Sequence, residues 1–276
     1  MTSREVFIEA KKQLGGAGTP EAEAKAKVII SHALDTGLSE VYSETDVPDG
    51  VYRQIRSMAR RCAAGEPVEY VTGRAYFRYL TLEVDPSVLI PRKETELVAG
   101  KAIELIKENS YRTVLDMCTG SGCIAISAAA ETGINVDAAD NSERALKKAK
   151  KNAELNGVSK LVRFLNSDMF NNIKGSYDII VCNPPYVSEE EYGFLEDAVR
   201  LYEPGQALLA GDGLDFYRVI AKEGLKHLNP GGAVVLEIGA TQEEKVRGLL
   251  NKGGFSGIEC LKDYAGRDRI VCARKI

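Results

Sequence analysis

The chain has 276 residues, enough for two domains that each bury a core. Its 44% hydrophobic and 28% charged content is that of a folded globular protein, and a net charge of −4 excludes a surface that coats nucleic acid by overall charge. No apolar run is long enough to span a bilayer, and Met1-Thr2-Ser3-Arg4-Glu5 lacks the apolar core of an export signal, so a cytoplasmic location is expected. Residues 1–70 read as helices alone. Val6 to Leu14 is a short helix ended by Gly15-Gly16. Thr19 as cap and Pro20 at the first position predict a second helix, with Ala22, Ala26, Ile29, Ile30, Ala33 and Leu34 at helical spacing and Gly37 as its stop. A third starts at Asp49, sets Val51, Ile55, Met58, Ala59 and Cys62 on one face, and ends at Gly65. Residues 1–80 carry 11 basic and 11 acidic side chains, so this small bundle suits docking more than charge-driven binding of nucleic acid.

Residues 71–93 change character. Short alternating runs at Tyr76-Phe77 and Leu80-Thr81-Leu82-Glu83-Val84 predict a two-stranded hairpin that links the domains. A helix from Glu94 to Asn109 follows. From Arg112 strands alternate with helices: strands at 113–116, 135–140, 162–166, 177–182, 233–237, 258–261 and 270–273, and helices at 123–130, 142–156, 214–228 and 242–251. The fold class is therefore α/β, with a doubly wound, Rossmann-like sheet of seven strands in residues 94–276, preceded by a small all-α domain and a hairpin. Segment 187–212 is long and only partly helical in pattern, which marks it as a lid or binding loop.

The six cysteines are scattered, with no Cys-x-x-Cys pair, and read as reduced, buried thiols. His32 and His227, the only histidines, have no carboxylate or cysteine at metal-ligand spacing. No metal is expected, and chemistry by a histidine acid or base is not the expectation either.

Two stretches carry the chemistry. Val114-Leu115-Asp116-Met117-Cys118-Thr119-Gly120-Ser121-Gly122 ends a strand and opens a helix, and its glycines permit close approach of a ligand to backbone. Ala125 stands where a dinucleotide fingerprint has its third glycine, and no Lys-Ser/Thr follows, which excludes a phosphate-binding P-loop. Asp116 ahead of the glycines favours a cofactor with a positive group. Asp140, at the end of the next strand, can accept hydrogens from a ribose diol, although capping the following helix competes for it. Asp168 at the third strand end can take an adenine amino hydrogen, with Met169 packed on the ring; a plain turn residue is the competing reading. Together these describe S-adenosylmethionine. The second stretch is Asp178-Ile179-Ile180-Val181-Cys182-Asn183-Pro184-Pro185-Tyr186: a buried strand that stops in a stiff prolyl elbow. Asn183 offers an acceptor and two donors beside an aromatic face, which suits a planar group bearing –NH2; a prolyl turn with Asn183 as local cap is the plainer alternative.

The Asp116-x-x-x-Gly120-x-Gly122 loop with Asn183-Pro184-Pro185-Tyr186 resembles the class I methyltransferases that act on a planar amide or aryl amine. Gly65-Glu66-Pro67-Val68-x-Tyr70, Phe77, Leu89-Ile90-Pro91-Arg92-x-x-Thr95-Glu96, Tyr202-Glu203-Pro204, Gly211-x-Gly213-Leu214, Pro230-Gly231-Gly232 and Glu237-Ile238-Gly239-x-x-Gln242 resemble the HemK/PrmC family, the peptide chain release factor N5-glutamine methyltransferases. The resemblance spans nearly the whole chain. It implies methylation of the Gly-Gly-Gln glutamine of a class-one release factor, with Asn183, Pro184 and Tyr186 at the reacting amide, and Pro185, Phe77, Arg92 and Glu203 as further substrate contacts. It implies a cofactor held by Asp116, Cys118, Thr119, Gly120, Ser121, Gly122, Asp140, Asp168, Met169 and Asn183. The helical domain would grip the release factor, with no direct nucleic-acid or membrane partner, and the protein would act as a monomer. Cys118 stands where a glycine is frequent in the family, and Met169 where a tryptophan can occur. Competing functions are glutamine methylation of a ribosomal protein, adenine-N6 methylation of DNA or RNA, which would use the same elbow, and a non-catalytic cofactor-binding adaptor. The neutral helical domain and the acidic run Glu189-Glu190-Glu191 weigh against nucleic acid, and the intact elbow against an adaptor.

Overall fold

A computed structural model describes all residues, 1–276. The chain forms two compact units, Met1–Arg74 with Glu196–Tyr202, and Ala75–Leu195 with Glu203–Ile276. In the smaller unit, helices α1 (Ser3–Gly16), α2 (Ala22–Leu34), α3 (Asp49–Ala63) and α4 (Val68–Thr72) enclose a core of Val6, Leu14, Ile29, Ile30, Ile55 and Ala59. Thr2 caps α1 and exchanges a capping box with Glu5. The α2 start differs from expectation. Gly18 takes a positive φ of 70° and the Thr19 N–H bonds the Leu14 carbonyl, so this stretch closes α1 and is not free to open α2. Asp35, in the left-handed region, closes α2 in place of Gly37. Helix α4 was not expected; Pro67 precedes it and Val68 and Val71 enter the core, because a five-residue helix shows too little periodicity to stand out.

The larger unit begins with the hairpin β1 (Arg74–Phe77) and β2 (Leu80–Glu83), whose first residue falls in the smaller unit. Then follow α5 (Lys93–Glu108), β3 (Val114–Met117), α6 (Cys123–Thr132), β4 (Val136–Asp140), α7 (Glu143–Leu155), β5 (Val162–Asn166) and β6 (Tyr177–Cys182). Segment 187–212 holds two short helices, α8 (Glu189–Tyr192) and α9 (Asp197–Tyr202). It is tied to itself by a bridge between Val187 and Leu209. The chain ends with α10 (Asp215–Glu223), β7 (Leu228–Glu237), α11 (Glu243–Lys252), β8 (Ser256–Lys262) and β9 (Asp268–Arg274).

The strand order is β5-β4-β3-β6-β7-β9-β8, parallel from β5 to β7 and antiparallel at the β9 and β8 edge. Successive side chains alternate between two buried layers. Val114, Ile179, Val181 and Val235 pack with α5 and α6 on one face, and Leu115, Met117, Ile180, Cys182 and Leu236 with α10 and α11 on the other. The order reverses between β3 and β6, where Met117 lies in register with Cys182. The glycine-rich loop and the prolyl elbow therefore leave the sheet side by side, at the carboxyl ends of neighbouring strands, where a doubly wound sheet opens its crevice.

Candidate active site

A cleft opens at this switch point. Its floor is the loop after β3. Cys118 (φ 59°) adopts a left-handed conformation that glycine takes without strain. Thr119 N–H bonds the Ala139 carbonyl, and Gly120 N–H donates to Asp140 Oδ2 at 2.8 Å. Gly122 (φ 84°) has a different task. A Cβ there would stand 3.0 Å from Ala149 Cβ, so its bareness lets α6 start against α7.

Asp140 lines the cleft, and its Oδ1 accepts the Ser142 N–H at 2.9 Å while the Ser142 hydroxyl caps α7. The capping task thus falls to Ser142. Burial raises the Asp140 carboxyl above its ordinary range, against the pull of three backbone N–H groups. Asp168 and Met169 line the cleft beside it, Met169 at φ 46° with its sulfur 3.9 Å from Cys118 Sγ. Val88, Leu89, Ile124 and Phe216 give the cleft apolar walls, and Gln206, from the long segment, reaches it and donates to Asn141 Oδ1 at 2.8 Å.

Asn183 and Pro185 face the same cleft. The Asn183 amide is held from behind: Nδ2 donates to Thr95 Oγ1 at 3.0 Å, and Thr95 donates to Glu237 Oε2 at 2.6 Å. Tyr186 donates to Glu237 Oε1 at 3.3 Å, and Gln242 Nε2 donates to the Tyr186 carbonyl at 2.9 Å. Glu237 is almost wholly buried, and that burial pushes its carboxyl up to about 7, with Thr95 and Arg269 pulling the other way.

Several expected contacts are corrected. Asp116 is 1% exposed and turns inward: its Oδ2 accepts the Thr119 hydroxyl at 2.6 Å and the Ala125 N–H at 3.1 Å, so it braces the loop and does not face the cleft. Burial raises its carboxyl to about 7. Phe77 is 1% exposed in the core beneath the hairpin, because β1 points it inward, and it meets no substrate there. Glu203 is likewise buried; it accepts the Ile90 N–H at 3.2 Å and Arg92 Nη2 at 2.5 Å, which folds Arg92 and Pro91 into the cleft wall. Arg92 is the member of that pair that lines the cleft. The Pro184 ring is buried, and Tyr186 turns its hydroxyl back to Glu237, so the Tyr186 side chain braces the elbow from behind Asn183 and Pro185. Cys118, Thr119, Gly120, Ser121, Asp140, Asp168, Met169 and Asn183 do share one cleft. Sequence reasoning assigned no role to Thr95 and Glu237, although both stand in the quoted motifs.

The donor set fits an adenosine-bearing cation. Asp140 offers a carboxylate, the walls are apolar enough for a ring, and the buried Ser121 hydroxyl lacks a partner at the floor. No group of three or more His, Cys, Asp or Glu side chains is placed to hold a metal ion, and no helix is long and apolar enough to cross a membrane.

Comparison with known proteins agrees over both units. Residues 5–73 match the PrmC N-terminal domain model and residues 99–227 the methyltransferase small domain model. A release factor glutamine methyltransferase from Thermodesulfovibrio yellowstonii is 37% identical over 257 residues, covering 91% of this chain and 92% of the relative. A protein of the same name from Cereibacter sphaeroides is 36% identical over 278 residues, 99% of each chain. Among solved structures, a methyltransferase from Pyrococcus furiosus shares the fold at a TM-score of 0.52, with 22% identity over 81% of this chain and 98% of that one.

Proposed function

This chain belongs to the release factor glutamine methyltransferase family, and on that premise we propose that it methylates the side-chain amide nitrogen of the Gly-Gly-Gln glutamine in class-one release factors. The observation that carries the reading is the fixed amide of Asn183 in the same cleft as the glycine-rich loop and Asp140. S-Adenosylmethionine, when bound, supplies an activated methyl group whose transfer to nitrogen leaves a neutral thioether. Cys118, Thr119, Gly120, Ser121, Asp140, Asp168 and Met169 would hold it.

An amide nitrogen is a weak nucleophile because its lone pair is delocalised into the carbonyl. The work of the chain is therefore placement and polarisation. With one Asn183 Nδ2 hydrogen held by Thr95, the amide is oriented so that its oxygen accepts one hydrogen of the substrate –NH2. The Pro184 carbonyl accepts the other. Two acceptors fix the plane of the –NH2 and stabilise the positive charge that develops as nitrogen bonds carbon. The methylated nitrogen then loses a proton readily, so no strong base is needed. Pro184 cannot donate from its nitrogen, which keeps competing donors away from the substrate. The helical unit would dock the release factor, and the protein would work in the cytoplasm as a monomer, without nucleic acid.

The test is mass spectrometry of a release factor after incubation with this protein and S-adenosylmethionine. One added methyl group on the Gly-Gly-Gln glutamine is expected. Transfer instead to a ribosomal protein, or to adenine in DNA or RNA, would overturn the substrate and keep the fold and cofactor.

A further inference from the structure

We propose that Thr95 and Glu237 are positioning residues that decide which end of the Asn183 amide meets the substrate. The inference rests on the reading of Asn183 above. A threonine hydroxyl has a single hydrogen, and Thr95 spends it on Glu237 Oε2. Towards Asn183 it is then an acceptor only, so the Asn183 –NH2 must turn to Thr95 and the oxygen to the cleft. Thr95 is 2% and Glu237 1% exposed, so water does not offer either an alternative partner. Were Glu237 a donor, Thr95 could give its hydrogen to the Asn183 oxygen, the amide would reverse, and two N–H groups would face a substrate –NH2 that also presents hydrogens. The order of donors therefore runs outward from one buried carboxylate to the reacting atom.

Glu237 is well placed to set that order. Its remaining oxygen accepts from Tyr186, and its backbone carbonyl accepts from Tyr217 on α10. The charged and titratable groups around it are Arg269 on β9, Glu94 at the start of α5, Cys123 on α6, and Tyr186 and Tyr217 themselves. Arg269 and the Thr95 and Tyr186 hydroxyls favour the carboxylate, whereas burial and Glu94 favour the acid. The balance leaves Glu237 titrating at about 7, with the ionised form giving the productive amide.

The experiment compares Thr95→Val, Thr95→Ser and Glu237→Gln with the wild type, reading kcat on a release factor, KM, and S-adenosylmethionine affinity by calorimetry. Thr95→Val should lower kcat by roughly 10- to 100-fold, below the loss of a whole oxyanion-type donor, with cofactor affinity within about twofold. Thr95→Ser, which restores the hydroxyl, should recover most of the loss. Glu237→Gln should lower kcat similarly and remove an acid limb near neutrality from the wild-type kcat profile. Wild-type kcat in Thr95→Val, no rescue by Thr95→Ser, or loss of cofactor binding together with kcat would overturn the inference and make the pair structural. A wild-type protein that methylates no glutamine would overturn the reading beneath it, and is told apart by needing no variant.

Discussion

Asn183 combines two constraints that a single side chain seldom meets. It sits at the end of a buried parallel strand, and its –NH2 donates one hydrogen to Thr95, which fixes the orientation of the amide and of its oxygen. Replacing it with alanine removes a preorganised acceptor and leaves the cleft floor, Cys118 to Ser121, in place. Asn183→Ala should therefore lower kcat by about 10²- to 10³-fold, the scale set by loss of one positioned polar group, with S-adenosylmethionine affinity changed only a few-fold. Calorimetry and single-turnover kinetics on the same preparation check both halves; near-wild-type turnover would remove Asn183 from the reaction.

At the scale of elements, the cleft depends on how α7 joins the hairpin to the glycine-rich loop. Asn152 lies on the inner face of this lysine-rich helix and is fully buried. Its Oδ1 accepts the Glu83 N–H at 2.7 Å, and its Nδ2 donates to the carbonyls of Glu83 and Ser121 at 3.0 and 2.9 Å. One side chain thus fixes β2 and the glycine-rich loop against the same helix turn. Asn156, one turn on, repeats the tie to the Thr81 carbonyl at 2.9 Å. Asn152→Leu would keep volume but strand three buried backbone groups, at a cost of about 3 kcal/mol or more. Urea unfolding of the variant should show that loss, along with weakened cofactor binding. A stability within a few tenths of a kcal/mol of wild type would mean the hairpin is held by its apolar core alone.

For the whole molecule, the buried carboxylates set a pH dependence. Asp116 rises from 3.8 and Glu237 from 4.5, each to about 7, because desolvation outweighs their hydrogen bonds. A carboxyl whose folded value lies above its unfolded value binds protons more tightly when folded. Its contribution is complete below the unfolded range and is lost as pH rises through about 7. Without ligand, these two groups should make the protein less stable at about pH 8 than at about pH 5, and Asp116→Asn should flatten that slope. Thermal unfolding across the range measures it; an unchanged slope in the variant would show that Asp116 is not its source. Each unit has its own apolar core, so the titration belongs to the larger one.

The sequence by itself determined the kinds and order of the sheet elements. Hydrophobic alternation is local, and the strands Val162–Asn166 and Tyr177–Cys182 were legible to the residue. It also marked the glycine-rich loop, the strand-end carboxylates and the prolyl elbow, whose unusual residues carry their own stereochemistry. Starts such as that of α2 were less legible, because Gly18 and Thr19 could serve either neighbouring helix and only packing chose. The tertiary structure alone decided where side chains point. Asp116, Phe77 and Glu203 turn inward because sheet pairing and the hairpin's seat assign their faces. Thr95 meets Asn183 across 88 residues and Glu237 across 142, and no periodicity connects such distant positions. They come together because β6 and β7 are neighbours in the sheet and α5, packed on its face, brings its first turn to their carboxyl ends, a juxtaposition set by the global core.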